Sequence, residues 1–257
     1  MINKSKEIYI YLYIMKVLLV TLAVGKQYLE QYNILFRKSH EEYAQKCGYD
    51  FKVITTLLDT SIIHRDVISF NKILVCNQTW SSDYDYIIFI DADILINKEA
   101  PPLNFDELGD NIGIVDEYSQ PTTDRRLNIQ KRMGWETSAT DYYKLCGLEL
   151  QTTQVFNTGV IIMQPTKHAV FLKGIFDKYA NNAIGHRRGF HYEQSCIGYE
   201  LQKNNMFKII DNKFNALWAL TKCDNIEQLS LQQYYKKNYF IHFAGKTDFD
   251  KIHTIIR

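Results

Sequence analysis

YDYIIFIDADILINKE, residues 84–99, decides the fold. Tyr86, Ile87, Ile88, Phe89 and Ile90 form an unbroken apolar run that meets Asp91-Ala92-Asp93, after which the chain turns apolar again. A β-branched and aromatic run of about four to eight residues is the pattern of a strand buried on both faces, since a buried helix needs more length. Two carboxylates therefore stand at the carboxyl end of a core strand, which is where ligands gather in an open α/β sheet. Close carboxylates repel and raise one another's pKa unless a cation lies between them, so the pair points to a divalent metal held by oxygen, Mg²⁺ or Mn²⁺. The competing reading is a solvated turn, where Asp is common.

Working outward, strand-like and helix-like segments alternate without a Pro/Gly/Ser-rich linker, a low-complexity tract or an internal repeat, which predicts an α/β architecture. Helical spacing is predicted for 26–47, 65–80, 167–181, 193–204 and 226–237. The segments 17–22, 51–57, 86–90, 112–116, 158–163, 207–210 and 239–243 read as strands. The interval 117–154, with PTTDRRLNIQKRMGWETSATDYYKL (121–145), is polar, less regular and long enough for a functional flap. Together with residues 185–192, beginning GHRRGFH, it is the expected mobile acceptor side. Trp135, Tyr142, Tyr143 and Trp218 are candidates for stacking on a sugar, or else core aromatics.

At 257 residues, 46% hydrophobic and 23% charged, the chain can bury a large core. A net charge of +1 with scattered basic residues gives no footprint for nucleic acid. Cys47, Cys76, Cys146, Cys196 and Cys223 form no CxxC or CxxH pair, which fits reduced thiols and a cytoplasmic protein. EIYIYLYIMKVLLVTLAVGK (7–26) has the look of a targeting segment, with Lys4 and Lys6 ahead of it and the small-residue Ala23-Val24-Gly25 at its end. Lys16 interrupts it, leaving about eight apolar residues on either side, too few for a stable membrane span. MKVLLVTLAVG (15–25) reads instead as the first core strand and its turn, with residues 1–14 an N-terminal extension.

Three further segments bear on the Asp pair. QVFNTGVIIMQP (154–165) sets Asn157 and Gly159 before a buried run, where an amide and a bare backbone can approach a polyhydroxylated ligand, unless this is an ordinary turn. FHYEQSCIGYEL (190–201) sets Glu193 and Gln194 at a helix start, where helix capping is the alternative. YFIHFAGK (239–246) ends a late strand on His242, and imidazole is a normal third ligand beside two carboxylates, although a lone His is more often structural.

In this order and spacing, IDAD, FNTGV, EQS and IHFAG resemble the glycogenin-like, metal-dependent retaining glycosyltransferases, over residues 16–250. The resemblance implies a single GT-A-type domain spanning 15–257, a Rossmann-like mixed central sheet flanked by helices. It implies a UDP-sugar donor, glucose preferred over galactose, with Mn²⁺ (or Mg²⁺) bridging the diphosphate, and a glycan or protein acceptor; a homodimer is compatible with it. Carried over, Asp91 contacts metal and ribose, Asp93 and His242 bind the metal, and Asn157 and Gly159 line the sugar and acceptor side. Gln194 matches the residue beneath the reacting anomeric carbon, and Glu193 stands where relatives more often have Asp. Lys72, in SFNKILVC (69–76), matches a basic residue touching the donor. The turn VTLAVG (20–25), with Thr21, Ala23 and Val24, holds uridine and ribose beside Asp91, Ala92 and Asp93. Gly245 and Lys246 follow the His242 strand. Relatives carry a diphosphate-binding Lys a few residues past that glycine turn, then Pro-Trp; here Lys246 follows at once, Asp248 comes next, and no Trp follows.

Two rival classes stay open. A haloacid-dehalogenase-type phosphohydrolase also ends a strand in Asp-x-Asp, but with Thr or Val where this chain has Leu95 and with the motif near the N-terminus. A sugar-nucleotide-binding module without turnover carries the same motifs. Self-glucosylation on Tyr142 or Tyr143 is a third possibility for the acceptor, weakened by a composition with 18 tyrosines.

Overall fold

The computed structural model describes residues 15–135, 138–188 and 191–255. The proposed extension 1–14 lies outside them. A six-stranded mixed sheet forms the centre, built from β1 (Val17–Leu22), β2 (Asp50–Ile54), β3 (Tyr86–Asp91), β5 (Ile112–Asp116), β6 (Phe156–Met163) and β7 (Phe207–Ile209) in the order β2-β1-β3-β6-β5-β7. β1 runs parallel to β2 and β3, β6 antiparallel to β3 and β5, and β7 parallel to β5. A second sheet, β4 (Ile94–Ile96), β9 (Phe240–His242) and β8 (Ala216–Leu217), packs beside it. Every residue of β1, β5 and β6 is buried, as expected of largely apolar strands covered on both faces, and in β6 this includes the polar Asn157 and Thr158.

The helices covering the sheet are α1 (Lys26–Leu35), α2 (Arg37–Cys47), α3 (Thr123–Met133), α4 (Ala139–Lys144), α5 (Pro165–Tyr179), α6 (His191–Lys203), α7 (Trp218–Cys223) and α8 (Leu231–Lys237), with a tightly wound 3₁₀ segment Arg65–Asn77. The expected helix over 26–47 is broken at Phe36, whose backbone leaves the helical region (φ −121°, ψ −37°) while its ring packs against Phe243 and Phe249. The strand expected over 51–57 stops at Ile54, and the helix expected over 226–237 starts at Leu231 behind a Ser230/Gln233 capping box.

The interval 117–154 departs most from expectation. It contains α3 and α4, and it turns Arg126, Ile129, Gln130, Tyr142 and Tyr143 into the interior. Tyr142 is 4% exposed and Tyr143 is fully buried, its hydroxyl accepting from Gln202 Nε2 at 2.8 Å. Neither ring offers a face to a saccharide. Trp218 is also a core residue, whereas Trp135 is 39% exposed. Among the described residues, no helix is long and apolar enough to cross a membrane.

Candidate active site

The β1/β3 register sets Leu22 opposite Asp91, so the turn leaving β1 and the acidic turn leaving β3 share one edge of the sheet. β4 then pairs antiparallel with β9, Ile94 facing His242, and Phe243 N donates to Asp93 O at 3.0 Å. Two residues far apart in sequence are thereby locked together by a strand pairing. His242 Nε2 lies 3.3 Å from Asp93 Oδ1 and 3.9 Å from Asp91 Oδ2. One ligand atom from each of the three residues falls within 4.8 Å of the other two, an arrangement that no other His, Cys, Asp or Glu trio makes among the described residues. Two carboxylate oxygens and one imidazole nitrogen are a donor set that fits Mn²⁺.

Electrostatics within this cluster are tightly coupled. Burial works against charge on both Asp93 and His242, yet their mutual attraction wins, holding the Asp93 carboxyl below and the His242 imidazole above its ordinary value. Lys72 is 4% exposed; its ammonium sits 3.0 Å from Asp91 Oδ1, 3.6 Å from Glu193 Oε1 and 3.3 Å from the Thr158 carbonyl oxygen. Burial would lower the Lys72 pKa, but the Asp91 and Glu193 carboxylates raise it, so the ammonium stays charged. Tyr28 on α1 faces the acidic pair: burial, then Asp93 and Asp91, push its hydroxyl well up.

Glu193, in the first turn of α6, is shifted in the opposite direction to Asp93. Burial pushes it up to about 7, against the lowering influence of Lys72, and its Oε1 accepts no hydrogen bond. A carboxyl whose folded pKa is raised contributes stability that is fully present below its unfolded pKa and lost as pH rises through the folded value. Glu193→Gln is therefore expected to gain stability relative to the unaltered protein between pH 5 and pH 8, by up to about 3 kcal/mol, in metal-free thermal unfolding. A difference in melting temperature that stays constant across that range would contradict it.

Gly159 has a structural reason to be glycine that the sequence does not reveal. A Cβ there would meet His242 Cε1 and Nδ1 at 2.6 Å, so the imidazole occupies the space a side chain would need and leaves none on that side for a ligand. Gly159→Ala is expected to displace the ring and weaken Mn²⁺ binding about tenfold or more, measured by metal titration.

Beyond these, Asn157 Nδ2 and Gln194 Nε2 both donate to Glu117 Oε2, at 3.0 and 3.1 Å, while Arg126 grips Oε1 of the same carboxylate at 2.5 Å. Gln194 Nε2 also donates to the Tyr142 hydroxyl at 3.0 Å. Both amide hydrogens of Gln194 are thus engaged, leaving its Oε1 as the free end. Glu117, Arg126, Thr158 and Asn215 are neighbours of the site that sequence reasoning missed. Glu117 follows β5 directly, so the strand-end argument used for Asp91 could have found it. Asn215 carries no such signal.

Thr21 is fully buried at the end of β1 with no partner for its hydroxyl, and Ala23, buried beside it, donates its N–H to Ile54 O at 2.8 Å. Val24 is half-buried at the turn, and Ala92 is buried between the two acids. Gly245 and Lys246 both take left-handed conformations (φ +70° and +59°). Lys246 pairs with none of Asp91, Asp93 and His242; its exposed ammonium lies 6.0 Å from the centre of the Tyr28 ring and 3.5 Å from Gln31 Oε1. Past it, Asp248 accepts from Trp218 Nε1 at 2.9 Å and pairs with Lys222 and Lys251, so a Trp docks on this segment although none follows it in sequence. Burial would raise the Asp248 carboxyl, but these partners hold it down at about 2.

No protein-family model matches the sequence, and no curated protein matches it either. Solved structures do match. A glycosyltransferase involved in the glycosylation of the major capsid of PBCV-1 is 13% identical with a TM-score of 0.60, covering 93% of this chain and 98% of that one. The galactosyltransferase LgtC, in complex with donor and acceptor sugar analogs, is 11% identical with a TM-score of 0.52, over 93% of this chain and 94% of its own. An active-site mutant of LgtC gives 12% identity and a TM-score of 0.56 over the same shares. The chain has the fold of the GT-A glycosyltransferases.

Proposed function

We propose that this chain is a glycogenin-like, retaining hexosyltransferase that moves a hexose, glucose or galactose, from a UDP-sugar to a hydroxyl of a glycan or protein acceptor in a Mn²⁺-dependent reaction. The observation that carries the reading is the convergence of Asp91, Asp93 and His242 at one strand end, beside Lys72 and Gln194, in a GT-A fold. When bound, the divalent cation supplies charge stabilisation to the departing diphosphate. The protein supplies the rest. Lys72 holds Asp91 and Glu193 in a fixed arrangement, so the acidic edge is set before ligand arrives. Thr21, with its unpaired hydroxyl, and the Ala23-Val24 backbone line the nucleoside side, and Lys246 stands at the mouth on the diphosphate side.

On the sugar side, Glu193 Oε1, which accepts no hydrogen bond and lies 3.6 Å from the Lys72 ammonium, would accept from a hexose hydroxyl, and Gln194, with both its N–H groups taken, would offer Oε1 to the anomeric carbon. Asn157 is spent on neighbouring protein groups, so its role is to hold Glu117 and Gly159 in place. The acceptor enters over α3, α4 and the start of α6. Tyr142 and Tyr143 are too buried to be that acceptor in this conformation. Residues 15–257 act as one catalytic unit, and five free cysteines support a reducing, cytoplasmic setting.

The test is UDP release from a panel of labelled UDP-sugars with and without Mn²⁺, combined with intact mass of the protein. UDP-glucose or UDP-galactose should be hydrolysed slowly without acceptor, only with metal. Turnover of a GDP- or dTDP-sugar instead would remove the uridine assignment, and binding without any turnover would favour a sugar-nucleotide-binding module.

A further inference from the structure

The polar groups behind His242 have a direction that can be read without ambiguity. Gly159 N–H, a donor by necessity, points at Asn157 Oδ1 at 3.0 Å, and the Glu117 carboxylate, an acceptor, takes Asn157 Nδ2 at 3.0 Å. Asn157 is therefore fixed with its oxygen toward Asn215. Asn215 must donate to it, Nδ2 to Oδ1 at 2.7 Å, and the Asn157 backbone carbonyl oxygen, 3.4 Å from the same nitrogen, demands the same orientation. The other end of the Asn215 amide is then an acceptor, 2.9 Å from His242 Nδ1. His242 must carry a proton on Nδ1. In the neutral imidazole the lone pair is then on Nε2, 3.3 Å from Asp93 Oδ1, where a cation displacing the Nε2 proton would bind.

We propose that Asn215 and Asn157 are positioning residues: a one-directional amide relay that fixes the Nδ1–H tautomer of His242, aims Nε2 at Asp91 and Asp93, and ties this ligand to Gln194 through Glu117. The inference rests on His242 being a metal ligand. Without the relay, an Nε2–H tautomer would donate to the nearby Asp93 carboxylate and close the site to a cation. Asn215 is fully buried and Asn157 is 5% exposed, so water cannot substitute for either amide. Because the groups are linked in series, loss of the inner amide frees the outer one to turn over.

Mn²⁺ affinity, read by electron paramagnetic resonance of the free ion with UDP present, tests this without relying on turnover. Asn215→Leu should weaken Mn²⁺ binding about tenfold to a hundredfold, the usual range for losing the group that orients a metal-bound His. Asn157→Leu, a neutral change at a residue that makes no hydrogen bond to His242, should weaken it about fivefold or more. Asn215→Asp should bind Mn²⁺ at least as well as the unaltered protein, since a carboxylate accepts from Nδ1–H, while kcat falls because it cannot donate to Asn157. Both leucine variants binding Mn²⁺ like the unaltered protein, with cooperative unfolding, would overturn the relay. Failure of the unaltered protein to take up Mn²⁺ would overturn the metal assignment along with it. Should the leucine variants not fold, nitrogen-15 spectra of histidine-labelled, unaltered protein with Mg²⁺ and UDP give the answer: a proton on Nδ1 of His242 is expected, and one on Nε2 contradicts the proposal.

Discussion

Asp93→Asn is expected to lower kcat/KM for transfer about a thousandfold or more, equivalent to roughly 4 kcal/mol of transition-state stabilisation. The site has two carboxylates and one imidazole to offer a cation, and Asn replaces one anionic oxygen by a weak neutral one. The same substitution should lower the melting temperature of the metal-free protein at neutral pH. From sequence alone, relief of repulsion between Asp91 and Asp93 suggests a neutral effect on stability. The structure changes the sign, because His242 stands against Asp93 and holds its carboxyl below the ordinary range. A depressed carboxyl contributes stability above its unfolded pKa and loses it as pH falls through the folded value. The stability gap between the two proteins should therefore close on acidification, which thermal unfolding from pH 7 to pH 3 measures directly. Full activity in Asp93→Asn would remove this residue from the site.

Lys72→Met should produce the largest loss of stability of any single change near the site, about 3–5 kcal/mol, the range for stripping one partner from a buried ion pair. The ammonium is enclosed by Asp91, Glu193 and Thr158, and no other cation lies within 4.0 Å of the Glu193 carboxylate among the described residues. Without it the buried Glu193 carboxylate faces the partly exposed Asp91 carboxylate with no cation between them. Lowering the pH to about 5.5 should restore part of the loss, because Glu193, already pushed up to about 7, takes a proton and removes one of the charges. Lys72→Arg should not rescue activity, since a planar fork cannot occupy a slot shaped for a compact ammonium. Urea unfolding at pH 7.5 and pH 5.5 checks both points. A loss under about 1 kcal/mol at the higher pH would show that the Lys72 pairs are solvent-screened surface contacts.

Much of the sheet was legible because its strands are covered on both faces and their sequences are continuous apolar runs. VLLVTL is apolar but for Thr21, and IGIVD is apolar up to Asp116 at its end; β1 and β5 begin and end where those runs do. Asp91 and Asp93 were legible for the complementary reason: charge at the end of such a run needs a cause. α3 was illegible because its inward face is made of Arg126, Gln130 and Ile129, with Arg126 answering Glu117 by an ion pair. A buried polar face leaves no periodic apolar stripe to detect. β4 and β8 are too short to register, although β4 is what brings His242 to Asp93. Asn215 was invisible because its importance lies in which way its amide faces, a property of tertiary contacts alone.

Where a cation binds is the central question. Crystals grown with Mn²⁺ and UDP, measured at the manganese absorption edge, locate the ion independently of any assumption about the reaction. One strong anomalous peak is expected within about 2.0–2.4 Å of an oxygen of Asp91, an oxygen of Asp93 and Nε2 of His242, with the diphosphate on its open side. A peak elsewhere, or one from which His242 stands apart, would contradict the metal assignment.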